Sequence, residues 1–131
     1  MNKWEVDGWN REWGNTTRKP HKKLYFNVTA EDIANGKPRS LGGYCPIELA
    51  IRREWDLDVT MGLSCFIVST YRRSNYTGEY WMYRGGEMDN EMYAWINNFD
   101  GRASNPVKPQ PARFYIEVAE EFLDKVGIHV D

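Results

Sequence analysis

Between Asn27 and Ile51 this chain has little conformational freedom. The run Asn27-Val28-Thr29-Ala30-Glu31-Asp32-Ile33-Ala34-Asn35-Gly36, followed by Tyr44-Cys45-Pro46-Ile47-Glu48-Leu49-Ala50-Ile51, reads as a strand end, a capped helical turn, a glycine stop, a loop and a second helix. Thr29 stands where an N-cap belongs, and Asp32, three residues on, is a shorter relative of the capping-box glutamate. Gly36 is read as the left-handed end of that short helix, and Pro46 as the first residue of the next, where its missing N–H does no harm. Ile47, Ala50, Ile51 and Trp55 form one apolar stripe, with Glu48, Arg52, Arg53 and Glu54 left to solvent. A stripe of this kind needs an apolar partner, and Leu24, Phe26 and Val28, alternating along the preceding segment, provide one face of a strand.

The remaining segments can be read in the same way. Leu57 to Tyr71 is rich in β-formers, with Gly62 dividing a short strand near Val59 from a longer one at Leu63 to Tyr71. Arg72 to Gly78 reads as a hairpin loop and Glu79 to Arg84 as the returning strand, ended by Gly85-Gly86. Asp89 caps a helix in which Met92, Trp95, Ile96 and Phe99 share a face, and Gly101 closes it. A loop with three prolines, Arg102 to Pro111, leads to a last strand at Ala112 to Val118 and a short acidic helix ended by Gly127. These elements predict an α+β fold: one domain, a mainly antiparallel sheet of four or five strands, and two main helices, Pro46 to Trp55 and Asn90 to Asp100, packed on it. Residues 22–131 are assigned to that domain. Residues 1–21, with Trp4, Trp9 and Trp13 among glycines and charges, follow no sustained period and are read as a Trp-rich arm. Such an arm can cover its own domain or anchor a second subunit or partner.

Composition narrows the function classes. A length of 131 residues suffices for a core without disulfides or metal, and a net charge of −2 argues against general affinity for nucleic acid. Aromatic residues make up 15% of the chain, so amphipathic rings must supply much of the buried surface. There is no apolar run long enough for a signal peptide or a membrane span, which leads to the expectation of an intracellular, cytoplasmic protein with no membrane partner. In that setting the sequons at Asn15, Asn27 and Asn75 are chance matches, and Cys45 and Cys65 remain thiols.

Chemistry-bearing motifs are sparse. His21 lies in a basic lead-in and His129 close to the last residue, so a nucleophile–histidine arrangement is not expected. Cys45 precedes a helix N-terminus, which favours a thiolate, but it has no evident base and is read as structural. Glu54, Asp56 and Asp58 would point to one side if the segment were extended, which suits Mg²⁺ or Ca²⁺, but a solvated strand edge explains them as well, and neither a metal nor a cofactor is assigned. The strongest interaction signal is the interleaving of Tyr71, Arg72, Arg73, Tyr76, Tyr80, Trp81, Tyr83 and Arg84, since arginine grips phosphate while tyrosine or tryptophan stacks on a base or fills a protein hot spot. Tyr71, Arg72, Arg73, Tyr76, Trp81, Tyr83 and Arg84 are therefore the candidate ligand- or partner-binding residues, and Trp4, Trp9 and Trp13 the candidate interface residues.

Thr29, Glu31, Asp32, Ile33 and Gly36, then Cys45, Pro46, Ile47, Leu49, Ala50 and Ile51, then Phe99, Asp100, Pro106 and Phe114 follow the pattern of a family of small phage and prophage accessory proteins of unknown function, which this chain resembles over residues 24–118. The Trp-rich arm and the acidic C-terminal helix lie outside the resemblance, and the family supplies no catalytic residue to transfer. The resemblance implies a non-enzymatic accessory protein of the bacterial host's cytoplasm, acting against host defence by binding a host protein or sequestering a nucleotide signal. It also leaves a homo-oligomer open. A nucleic-acid-binding accessory protein and a small metal-dependent enzyme are the alternatives.

Overall fold

A computed structural model describes residues 3–38, 43–62, 65–71, 79–87 and 89–130. In chain order the elements are β1 (Lys3–Asp7), β2 (Trp9–Glu12), β3 (Asn15–Arg18), β4 (His21–Val28), α1 (Ala30–Asn35), α2 (Pro46–Trp55), β5 (Asp58–Met61), β6 (Cys65–Ser69), β7 (Tyr80–Glu87), α3 (Asn90–Phe99), β8 (Ala112–Ala119) and α4 (Glu120–Val126). The fold is α+β, as expected. Its strands form one four-stranded sheet in the order β1-β7-β6-β5 and two separate pairs, β2-β3 and β4-β8. Two of the three pairings in the larger sheet are antiparallel, and β1 joins β7 in parallel.

The segment read as an arm thus contributes its first five described residues to the sheet, in register from Lys3 opposite Tyr80 to Asp7 opposite Arg84. The sequence pattern concealed this because β1 is an edge strand of which only Val6 is fully buried. A second difference concerns Gly85-Gly86, expected to end a strand: β7 continues through both to Glu87, opposite an irregularity in β6 between Phe66 and Val68. The expected hairpin loop at Arg72 to Gly78, with Leu63 and Ser64, lies outside the described residues.

The core forms where the strand pair, the sheet and the helices meet. Leu24, Phe26 and Val28 of β4 are buried in strict alternation, and Ile116 and Val118 come from its antiparallel partner β8. Ile47, Ala50 and Ile51 of α2, Met92 and Ile96 of α3, and Phe122 and Leu123 of α4 pack into the same cluster. Register gives the sheet's contribution directly. Val59, Val68, Tyr83 and Val6 lie opposite one another on successive strands, and all four are buried. Tryptophans at the margins keep their polar atoms paired: Trp55 Nε1 donates to the Tyr25 carbonyl at 2.9 Å and Trp95 Nε1 to that of Gln110 at 3.0 Å.

The local signals around α1 and α2 hold in part. Thr29 accepts from the Asp32 N–H while Asp32 accepts from the Thr29 N–H, a complete capping box. Gly36, however, is extended (φ −75°) and not left-handed. Its glycine serves close approach, since a Cβ there would lie 2.6 Å from Cδ of Pro46. Helix α2 ends instead on a left-handed Asp56, at φ 54°. Among the described residues no helix is long and apolar enough to cross a membrane.

Candidate functional site

The pleat that buries Val59, Val68, Tyr83 and Val6 turns the alternate residues outward. Asp58, Ser69, Met82 and Glu5 form the next row across the same strands, flanked by Thr60 on β5 and Tyr80 on β7. Among the described residues this outer face is half-buried to exposed, and at its Tyr80 end it deepens into a groove of about 770 Å³. Gly43, Tyr44 and Glu48 form one wall, Asp58, Val59, Thr60 and Ser69 the floor, and Tyr71, Tyr80 and Met82 the other wall. That volume falls in the range of pockets that enclose a small ligand or a few side chains.

Each wall is held by local structure. Gly43 adopts φ +82°, and the Tyr44 carbonyl accepts from the Lys37 N–H at 2.9 Å, which fixes Tyr44 just ahead of α2. Glu48, at the third position of α2, accepts from the Cys45 N–H at 3.0 Å and is 8% exposed. On the opposite wall the Tyr71 and Tyr80 rings meet edge to face at 5.0 Å. Buried Thr70, which precedes Tyr71, exchanges bonds with Trp81, which follows Tyr80: its N–H donates to the Trp81 carbonyl and its Oγ1 accepts from the Trp81 N–H, both at 3.0 Å. The guanidinium of Arg52 lies 3.8 Å from the centroid of Tyr44, so one rim ring already carries a cation on its face.

The lining combines three tyrosines, a methionine, two hydroxyls and the carboxylates of Glu48 and Asp58; among its described residues there is no lysine or arginine. An aromatic and acidic groove suits a cationic or aromatic side chain.

The sequence-derived candidates separate by strand face. Tyr71 lines the groove. Arg84 lies on the same sheet face as Tyr80 and Met82, but its Nε pairs with Glu5 at 3.0 Å, and Glu5 also holds Lys3 at 3.1 Å. Trp81 points to the other face, where it stacks on Trp4 at 6.0 Å beneath the ammonium of Lys125. Tyr83 is fully buried, its hydroxyl 2.6 Å from Nε2 of His21. Burial raises the pKa of that hydroxyl to about 12. Arg72, Arg73 and Tyr76 lie outside the described residues. Trp9 is half-buried, and Trp13 is wholly exposed at the β2-β3 turn.

Sequence reasoning missed Tyr44, Thr60 and Ser69, and it assigned Asp58 to a different arrangement. The alternation Asp58-Val59-Thr60-Met61 was the available signal, since it separates an inward face from an outward one. Glu54, Asp56 and Asp58 do not converge: the first is helical, the second is the left-handed cap and the third opens β5. Among the described residues no cluster of three or more His, Cys, Asp or Glu is arranged to hold a metal ion. Cys45 is buried, and desolvation, with the Glu48 charge beside it, pushes its thiol pKa upward, which opposes thiolate formation. Comparison with protein-family models, curated proteins and solved structures finds no match to this chain.

Proposed function

We propose that this chain is a non-enzymatic accessory protein that acts by binding another protein, and that the groove between Tyr44 and Tyr80 receives an aromatic or cationic side chain of that partner. The observation that carries this reading is the groove's lining, in which Tyr44, Tyr71 and Tyr80 surround Glu48 and Asp58. Tyrosines offer large rigid contact area with little entropy to lose, and carboxylates at their edge favour arginine or lysine on the partner. Taken with the resemblance to small phage proteins, the reading is of a phage accessory protein that engages a host protein within the host cytoplasm. Capture of a nucleotide signal is the weaker form of the proposal, because a phosphate entering this groove would meet two carboxylates.

The test is a titration of isotope-labelled protein followed by amide chemical shifts. A short peptide with tryptophan flanked by arginines is expected to move Thr60, Ser69, Tyr71 and Tyr80, whereas the same peptide with glutamates in place of arginines, and ATP, leave them in place. Shifts at these positions with ATP alone, or with none of the three, would overturn the reading.

A further inference from the structure

The loop that joins α3 to β8 doubles back along the helix that precedes it, and its backbone is constrained at every step. Gly101, at φ +77°, turns the chain after Asp100, and the Arg102 N–H donates to the Asn97 carbonyl at 2.9 Å. From Pro106 to Pro111 the run is Pro-Val-Lys-Pro-Gln-Pro, with no regular secondary structure. Each proline fixes its own φ at about −65° and also drives the residue before it, Asn105, Lys108 or Gln110, away from the helical region. Only Val107 escapes both constraints, and Asn98 of α3 holds it instead. The Asn98 amide donates to the Val107 carbonyl at 2.9 Å, and Oδ1 accepts from the Val107 N–H at 2.8 Å. Further along, the Trp95 indole donates to the Gln110 carbonyl at 3.0 Å. The segment is thus an extended, polyproline-like strand pinned to α3 from one side.

We propose that this strand is a preformed ligand for a partner protein that reads polyproline II conformation through a groove lined by aromatic rings. The surface is separate from the tyrosine groove and does not depend on how that groove is read. Pro106 and Pro109 stand three residues apart, so a helix of three residues per turn brings both to one edge, the P-x-x-P spacing that such grooves recognise. Between them Val107 is 69% exposed: Asn98 fixes its backbone and leaves the apolar side chain outward. Lys108, also exposed, takes part in no ion pair among the described residues, so an uncompensated cation sits beside the prolines. The complementary groove therefore carries an acid at that position. Because Asn98 and Trp95 have already set the backbone, docking loses little conformational entropy.

The test is a titration of the isotope-labelled protein with a panel of isolated SH3 and WW domains, read at the amides of Val107, Lys108 and Gln110. At least one domain is expected to move these three amides and to leave Thr60 and Ser69, in the tyrosine groove, in place. Pro106→Ala combined with Pro109→Ala is expected to abolish binding, and Lys108→Glu to weaken it. Asn98→Ala keeps the motif but frees Val107, and is expected to weaken binding about 10-fold. Unchanged Thr60 and Ser69 amides in the free variants show that the fold is intact. No shift from Val107 to Gln110 with any domain overturns the proposal, as does binding that survives the loss of both prolines or is untouched by Lys108→Glu. Equal affinity for Asn98→Ala and the wild type overturns the preformed strand as the source of recognition. None of these outcomes alters the response of Thr60 and Tyr80 to the arginine–tryptophan peptide, so this proposal and the groove reading stand or fall separately.

Discussion

His21 shows how a residue with no catalytic setting in the sequence acquires a defined state in the fold. Its Nδ1 faces the Lys19 carbonyl and its Nε2 faces the Tyr83 hydroxyl. A carbonyl can only accept, so Nδ1 carries the proton, and the neutral ring takes the tyrosine O–H at Nε2. Burial lowers the histidine pKa below its ordinary 6.5, with the Lys19 carbonyl acting in the opposite direction. On acidification the unfolded chain therefore takes up this proton first. Stability is complete above about 6.5 and falls as the pH drops towards the folded-state pKa. Urea midpoints measured across that window are expected to decline for the wild-type protein and to be flatter for His21→Gln. Equal slopes for the two would show that another group carries the effect. The tyrosine contact was not legible in the sequence, because His21 on β4 and Tyr83 on β7 belong to different sheets and meet only through tertiary packing.

At the level of elements, legibility followed the range of the forces involved. The Thr29–Asp32 box, Pro46 at the start of α2 and the Met92–Ile96 face of α3 were readable because neighbours within one turn determine them. The close approach of Pro46 to Gly36 was not readable, since it depends on how two helices pack. Asp32 links both ranges. Besides its capping bonds it forms an ion pair with Arg53 on α2. Burial pushes its carboxyl pKa up, but the Arg53 guanidinium and the Thr29 bonds outweigh this and hold it below the usual 3.8. Its contribution is present above that value and lost only as the pH falls through the lower folded-state pKa, a window well separated from that of His21. Asp32→Ala is expected to cost about 1–2 kcal/mol in urea unfolding at neutral pH. A cost near zero would mean that α1 is held by packing alone.

Across the whole molecule, the candidate site was legible only in its chemistry. An aromatic cluster near Tyr71 and Tyr80 was identifiable, but which of its members face outward depended on the register of four strands, and Trp81 and Tyr83 fell on the inner side. The N-terminal segment was the larger surprise. Val6 completes the buried row with Val59, Val68 and Tyr83, so Val6→Ala is expected to lower stability by about 2 kcal/mol, measurable by chemical denaturation. A change within about 0.3 kcal/mol would instead mark β1 as dispensable to the core.

The parallel union of β1 with β7 also governs when the protein can finish folding. Lys3 to Asp7 leave the ribosome well before their partners, Tyr80 to Arg84, and β4 waits longer still for β8. Neither ladder can close on a nascent chain that stops short of its distant strand. Until β7 is made, Lys3–Asp7 stay unpaired, with Val6 uncovered. Closure at such sequence separation is slow, so the interval between translation and completion is when this chain is most exposed to proteases and to aggregation.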